Sequence, residues 1–257
     1  MKAKKTLALV AIALLGLTTT ASAQGDEVEA SVEANLVSKY LWRGLEKGGV
    51  SLQPAVSVGW QGLFLKASGS VGLSKDDGEE IDLELGYRLA GFNIGVVDYW
   101  HTGIDVEDRY LQFDRDEGPH RMEANLGYTC RYFGLQAYTT FWGKDQKRGG
   151  DRAYSTYIEA MVPFRLGGLS WLVKGGMTPF ESSSQKRVKT AQTLLGIEKI
   201  YVDDYLYADG PACVLASVRA TKQFSLGEVK MPVFAEVQVN PYLQQAHVVL
   251  GLSVIPF

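Results

Sequence analysis

The side chains best suited to catalysis are few in this sequence. His101, His120 and His247 are its three histidines, and neither His101 nor His120 has a serine close by in the sequence. His247 precedes Ser253 by six residues, which along a strand is roughly 20 Å and too far for a nucleophile and its base to form a hydrogen bond. The sequence therefore does not predict an enzyme, and an outer-membrane hydrolase stays the remote alternative.

Acidic residues offer a second kind of chemistry, the binding of cations or sugars. Asp203 and Asp204 are adjacent, with Tyr201, Tyr205 and Tyr207 nearby. Such a mixture of carboxylates and rings can hold a sugar or fold over an opening. Adjacent loop carboxylates are more often simply solvated, and the chain has no metal-ligand spacing and no glycine-rich phosphate loop. No cofactor is predicted.

Charged and polar residues alternate with apolar ones along most of the chain. Val28, Val32 and Leu36, for example, alternate with Glu29 and Glu33. A period of two is the pattern of a strand with one apolar and one polar face. We count about twelve such strands of roughly ten residues, the length that a tilted strand needs to cross a membrane. Residues 184–198 are the exception, since their periodicity is helical.

The connections between these strands alternate in length. Tight, glycine-marked turns fall at residues 60–62, 89–92, 132–134, 165–168 and 225–228, while most of the other connections are longer and polar, the longest at about 101–119 and 178–211. Short periplasmic turns and long extracellular loops are typical of outer-membrane barrels. The sequence predicts an all-β fold, a transmembrane antiparallel up-and-down β-barrel of about 12 strands, which occupies residues 24–257 as one domain.

Aromatic residues near both ends of the strands distinguish this pattern from that of a soluble β-sandwich. They match the two interfacial girdles of a membrane barrel; the predicted girdle residues are Tyr40, Trp42, Trp60, Tyr87, Tyr132, Phe133, Phe164 and Phe257. A bulge near Pro256, which has no N–H to donate, would bring Phe257 into phase with the lipid face. The predicted partners are outer-membrane lipid and the barrel-assembly machinery, which would recognise the C-terminal strand.

If the apolar face meets lipid, the polar face lines the lumen. The predicted lumen or pore-lining residues are Glu33, Asn35, Lys39, Arg43, Gln53, Lys66, Asp82, Glu84, Arg88, Arg121, Glu123, Arg131, Lys174, Arg219, Lys230 and Glu236. Both signs occur in the outer and the inner half, so no single-sign filter is predicted. We expect Arg43 to face the lumen at the start of the first loop and to pair with Glu84 or Glu236. Barrels of about eight strands have a filled interior, and those of about sixteen leave an aqueous channel. A barrel of twelve strands is intermediate, so the sequence is compatible with a narrow channel and with a plugged lumen.

The two ends of the chain predict its location. Residues 1–23 have a basic start, a short apolar core and an Ala21-Ser22-Ala23 site, which is the layout of a cleaved signal peptide. We expect export through the Sec pathway to the outer membrane of a Gram-negative bacterium. The net charge of −3 becomes more negative without the leader, so no nucleic-acid partner is predicted. Cys130 and Cys213 fall at opposite ends of the predicted barrel, so no disulfide is expected.

The start of the predicted mature chain contains an S-x-Y-x-x-R-G motif, formed by Ser38, Tyr40, Arg43 and Gly44 and followed by Pro54-Ala55 and residues 62–70. This motif resembles the opening of the TorF-type porins, in particular of members from Bacteroidetes-like bacteria. The resemblance covers the opening of the predicted mature chain and implies an outer-membrane barrel. Residues 45–53 differ from the serine-rich stretch of many relatives, so a shared loop function is not implied.

These patterns together predict a porin for the passive diffusion of small polar solutes. The alternative is a structural or ligand-binding, receptor-like barrel with a plugged lumen. The mixed charges of the polar face are compatible with both, since they can line a channel or close it through ion pairs.

Overall fold

The computed structural model describes residues 28–74, 77–101, 110–115, 118–193 and 196–256. Its strands in chain order are β1 (Val28–Val37), β2 (Tyr40–Trp42), β3 (Leu45–Gly48), β4 (Ser51–Trp60), β5 (Leu63–Gly72), β6 (Glu79–Leu89), β7 (Phe92–His101), β8 (His120–Thr129), β9 (Gly134–Trp142), β10 (Thr156–Leu166), β11 (Leu169–Thr178), β12 (Ser184–Thr193), β13 (Gly196–Tyr205), β14 (Ala212–Lys222), β15 (Ser225–Leu226), β16 (Val229–Lys230), β17 (Val233–Asn240) and β18 (Gln245–Val254). The predicted signal peptide and Phe257 lie outside the described residues.

Twelve of these strands form one closed antiparallel barrel, with neighbours in the order β1, β18, β17, β14, β11, β10, β9, β8, β7, β6, β5 and β4. Strand β1 closes it by pairing on both sides, with Val28 opposite Trp60 on β4 and Ala34 opposite Val254 on β18. A closed barrel has no free sheet edge. The predicted fold and strand number are confirmed. In the described ranges, no helix has both the length and the hydropathy that a membrane crossing requires.

The outer face of the barrel is apolar. Large hydrophobic side chains stand exposed around it, including Val58, Leu65, Leu85, Ile94, Leu126, Val162, Val237 and Leu250. Exposed aromatic residues lie at or near the short turns, namely Trp60, Tyr87, Tyr132, Phe133 and Phe164. An apolar belt of this extent is unusual for a protein surface in water and is what the hydrocarbon core of a bilayer accommodates.

Three of the tight turns share one backbone conformation. In the pairs Gln61-Gly62, Ala90-Gly91 and Gly167-Gly168, both residues have positive φ, from 48° to 89°. Two consecutive positive values define the type I′ turn, whose twist matches that of an antiparallel hairpin. These turns lie at one end of the barrel, the short-turn end. The connections at the other, long-loop end include two extra hairpins, β2–β3 and β12–β13.

Three predictions about individual segments need correction. Residues 184–193 belong to strand β12 rather than to a helix, because they pair with β13 along their whole length. Lys230 lies in the small β15–β16 hairpin at the short-turn end, and Arg131 lies in the turn between β8 and β9, so neither is on the barrel wall. Cys130 and Cys213 do lie at opposite ends, as predicted.

Candidate functional site: an arginine cluster in the lumen

The first long loop turns into the barrel rather than away from it. Strand β1 ends at Val37. At the next position a side chain takes the place of a backbone acceptor, since Leu250 on β18 donates its backbone N–H to the Ser38 hydroxyl at 2.9 Å. The chain then bends and forms the short hairpin β2–β3, called the luminal hairpin (Tyr40–Gly48). Its two turn residues, Arg43 and Gly44, have φ of 51° and 80°, so its tip is also a type I′ turn.

The tip of the luminal hairpin packs against the barrel wall at β14 and β17. A Cβ atom on Gly44 would lie 2.1 Å from the carbonyl oxygen of Val214 on β14, so only glycine fits at this contact. Asn240 on β17 donates its side-chain N–H to the Gly44 carbonyl at 3.3 Å. The hairpin therefore starts at β1 and ends in contact with strands β14 and β17, which fixes the position of Arg43.

Arg43 forms a forked ion pair with Glu123 of β8. Its two terminal nitrogens donate to the two carboxylate oxygens at 3.2 and 2.8 Å. The same nitrogens donate to the phenol oxygens of Tyr207 at 2.5 Å and Tyr99 at 3.3 Å. The side chains of Arg43 and Glu123 are 8% and 0% exposed. Two-point pairing of this kind suits the planar guanidinium and is stronger than a single neutral hydrogen bond.

Aromatic rings enclose the guanidinium. Its central carbon lies 4.4 Å from the ring centre of Trp42, 4.1 Å from that of Tyr138 and 4.8 Å from that of Tyr157. These distances are within the range of cation–π attraction, which is stronger where water is excluded. Tyr207 stacks on Trp42 at 5.9 Å and on Tyr157 at 5.6 Å. We call Arg43, Trp42, Tyr99, Glu123, Tyr138, Tyr157 and Tyr207 the arginine cluster.

The charge state of the cluster follows from its burial. Burial alone would lower the pKa of Arg43, but the Glu123 carboxylate more than offsets this and holds that pKa above its usual value. Burial raises the pKa of Tyr207, so this phenol stays protonated and accepts from Arg43 through its oxygen. The cluster therefore contains a charged arginine in a cage of neutral phenols.

A second loop completes the cluster. Tyr207 lies just beyond β13 and is 1% exposed, and Ala208 beside it is 0% exposed. The hydroxyl of Ser182 holds this segment, since it accepts the backbone N–H groups of Tyr207 and Ala208 at 2.9 and 3.1 Å and donates to the Ala208 carbonyl at 3.0 Å. Two loops from different parts of the chain thus meet inside the barrel, so the long-loop half of the lumen is filled by a buried ion pair and aromatic rings.

The structure corrects three predictions about this stretch. Tyr40 and Trp42 are not in the lipid-facing girdle, since Tyr40 lines a chamber of the lumen and Trp42 packs on Tyr99 and Tyr207. Arg43 pairs with Glu123, not with Glu84 or Glu236. The reason is the bend after Val37, which interrupts the alternation of β1 and turns the following residues inwards.

The other predicted lumen residues fall into separate groups. Lys39 pairs with Glu46 at 2.8 Å, Arg219 with Glu236 at 2.5 Å, and Lys174 lies 3.9 Å from Glu159. Arg121 lies beside the arginine cluster, 3.8 Å from Glu123. A chamber of about 180 Å³ is lined by Glu33, Asn35, Gln53, Lys66 and Asp82 together with Tyr40. The polar face of the strands thus forms several local pairs rather than one ring of charge.

The short-turn half of the lumen is open by comparison. It contains a cavity of about 630 Å³, called the vestibule, that extends from the turn at Leu89–Phe92 to Tyr138 of the arginine cluster. Glu84 and Arg88 of the predicted set line it, with Phe64, Asn93, Thr129, Gln136 and Met161. The lumen therefore has a filled half and a half with room for a small molecule.

One histidine forms a buried contact on the outer face. His120 Nδ1 lies 2.9 and 3.0 Å from the carboxylate oxygens of Asp98, and its Nε2 lies 2.6 Å from the Tyr110 carbonyl oxygen. The ring of Phe113 stacks on the imidazole at 4.1 Å. Both ring nitrogens are engaged, so this histidine fastens the long loop to the barrel and has no nitrogen free to act as a base.

Sequence reasoning missed the tyrosines of the cluster. Tyr99, Tyr138 and Tyr157 all belong to the inward-facing phase of their strands. Three large rings on the polar face were a signal that could have predicted a filled lumen. Tyr207 was named only as one of several rings in a loop that could hold a sugar or fold over an opening. Its place beside Arg43 was not predicted, because it depends on how that long loop folds back.

The solved structures that are similar to this chain at a low level include two outer-membrane proteins. OmpF of Salmonella typhi in complex with daunomycin is 10% identical with a TM-score of 0.35, over 90% of this chain and 98% of that chain. An outer membrane channel from Pseudomonas putida F1 is 11% identical with a TM-score of 0.38, over 91% and 96%. These scores are too low to carry an argument. No protein-family model and no curated protein matches the sequence, so the TorF-type resemblance stays a prediction.

Proposed function

We propose that this protein is an outer-membrane barrel of the porin type for small polar solutes, whose lumen is narrowed by the luminal hairpin. The single observation that carries the proposal is the division of the lumen within a barrel that has an apolar outer belt. One half holds a cavity of about 630 Å³ lined by polar groups, and the other is crossed by a hairpin fixed through one buried ion pair. Passage then requires a path past, or a movement of, that hairpin.

The alternative is a structural or receptor-like barrel whose lumen stays plugged. The completeness of the arginine cluster favours it, because Glu123, Tyr157 and Tyr207 are at most 1% exposed and a buried pair of charges is costly to separate. In this alternative the hairpin is a permanent part of the core, and a ligand is bound without being carried across the membrane.

Planar-bilayer recording separates these functions. The refolded protein would be compared with a variant in which residues 40–48 are replaced by a short glycine-serine linker. The porin proposal expects small conductance steps from the natural chain and larger ones from the variant. A matched control shortens the tip at Gly149-Gly150, where the chain has open space around it, and should conduct like the natural chain. If the linker variant folds but does not conduct, the porin proposal is wrong and the plugged barrel replaces it.

Topology can be tested separately. Single cysteines would replace Lys147, in the long-loop segment between β9 and β10, and Gln61, in a short turn. The background would lack Cys130 and Cys213. An impermeant thiol reagent applied to intact cells should label position 147 and spare position 61, because short turns face the periplasm in outer-membrane barrels. The opposite pattern would reverse the proposed orientation.

A further inference from the structure

Two glycines in the vestibule wall leave room for two larger side chains. A Cβ atom on Gly86 would lie 2.5 Å from Phe64, and one on Gly127 would lie 2.0 Å from Gln136. Glycine at these two inward positions therefore lets Phe64 and Gln136 lie flat against the wall. Because the two large side chains lie against the strands instead of projecting inwards, space is left in the middle of the barrel.

The amide groups of the vestibule are already hydrogen-bonded to one another. Asn93 and Gln136 exchange two hydrogen bonds, at 3.2 and 2.9 Å. Asn93 also donates to Asn125 at 3.2 Å, and Asn125 donates to the Glu84 carboxylate at 3.3 Å. This chain of amides fixes Glu84. The polar groups on that side of the cavity already have hydrogen-bond partners, so the wall there is rigid and has fewer groups left to bind a ligand.

Arg88 also lines the vestibule but is not part of this hydrogen-bonded chain of amides. Its guanidinium carbon lies 3.8 Å from the ring centre of Phe64, which is itself only 5% exposed. The ring holds the guanidinium in place by one face. Arg88 makes no ion pair with any residue that the structure describes. Glu84 lies four positions earlier on the same strand, which separates the two Cα atoms by about 13 Å at ~3.3 Å per residue. Within the described part of the chain, a positioned cation thus faces the cavity with its N–H groups available.

From this geometry we infer that the vestibule binds small organic carboxylates, with Arg88 as the residue that holds the anionic group. A guanidinium fixed by stacking on a ring presents paired N–H donors that match a carboxylate. Phe64 and Met161 supply apolar surface in the same cavity, which suits a ligand with a small apolar body. The volume is within the range of pockets for small molecules. The inference deepens the proposed function, on which it rests for the route of the solute.

The test measures binding in detergent micelles, which needs no open channel, so its failure is distinguishable from a failure of conduction. Saturation-transfer NMR would follow benzoate, and benzamide serves as a probe of the same shape without charge. We expect benzoate to bind the natural chain and benzamide to bind at least tenfold more weakly. Arg88→Gln should weaken benzoate at least tenfold, and Arg88→Lys, which keeps the charge but loses the fork, should lie in between.

Arg131→Gln is the matched control, because Arg131 also stacks on a ring at the short-turn end, 4.3 Å from the ring centre of Tyr132, but lies outside the vestibule. It should leave benzoate binding unchanged. Resistance of each variant to urea shows that it is folded. The inference is overturned if benzoate does not bind the natural chain, if benzamide binds equally well, or if folded Arg88→Lys and Arg88→Gln both bind benzoate like the natural chain.

Discussion

Two arginines in one lumen have opposite surroundings. Arg43 is 8% exposed, paired with a carboxylate and enclosed by three rings, while Arg88 stacks on one ring and is open to a cavity. A cation that has its counter-charge inside the protein can hold two elements together. A cation without one can only be neutralised by solvent ions or by a ligand. The same side chain therefore contributes to stability in one half of the barrel and to binding in the other.

The largest effect on stability is expected at Arg43. Arg43→Ala leaves the Glu123 carboxylate buried and unpaired, which should lower the free energy of unfolding by about 3–5 kcal/mol. Urea unfolding of the refolded barrel measures the loss. The double variant Arg43→Met, Glu123→Leu removes both charges and should recover much of the stability. A loss below about 1 kcal/mol, in the range of exposed ion pairs, would show that the pair is hydrated and the lumen is wetter than the structure indicates.

The next largest effect is expected at Gly44. Gly44→Ala places a methyl group 2.1 Å from the Val214 carbonyl oxygen, on a backbone with φ of 80°. The left-handed backbone alone costs about 1–2 kcal/mol, and the clash should push the hairpin tip away from strand β14. We expect larger single-channel conductance together with the loss of stability. Gly149→Ala, at a site with no atom within 4 Å of the new carbon, is the control. Equal conductance in the two variants would mean that the hairpin does not limit passage.

A smaller effect is expected at the second loop. Tyr207→Phe keeps the ring that stacks on Trp42 but removes the phenol oxygen that accepts from Arg43. Hydrogen bonds to charged groups contribute about 1.5–3 kcal/mol, and Glu123 still satisfies the same nitrogen, so the loss should fall near the lower limit. Urea unfolding measures it, with Tyr154→Phe as control because Tyr154 is 54% exposed. No change would show that ring packing alone holds the loop.

Strand alternation in the sequence predicted the barrel because each strand has one face in each environment. Glu33, Lys66 and Asp82 line a chamber on the predicted polar face, and Leu65 and Leu85 stand on the outer one. The period of two holds only while the chain stays paired in the wall. At Ser38 the pairing with β18 ends through a side-chain hydrogen bond, and alternation no longer fixes where Tyr40 and Trp42 point.

The luminal hairpin itself had a local signal that the alternation obscured. Arg43-Gly44 follows the apolar stretch Tyr40–Trp42, and glycine in second position is typical of a type I′ turn. The same reasoning identified the turns at Gln61-Gly62 and Ala90-Gly91. The direction in which the hairpin folds could not be predicted this way, because it depends on the long-range contacts of Arg43 with Glu123 and of Gly44 with Val214.

The smallest effect is expected at Arg88, where the comparison with Arg43 is sharpest. Arg88→Gln removes a positive charge from the same lumen, but the charge has no carboxylate partner among the described residues. The stability of the barrel should therefore change by no more than about 0.5 kcal/mol, as at other open sites, in urea unfolding run beside Arg43→Ala. A loss comparable to that of Arg43→Ala would show that Arg88 belongs to the structural core. The vestibule would then be part of the barrel's packing, and its cation would have no need of a ligand.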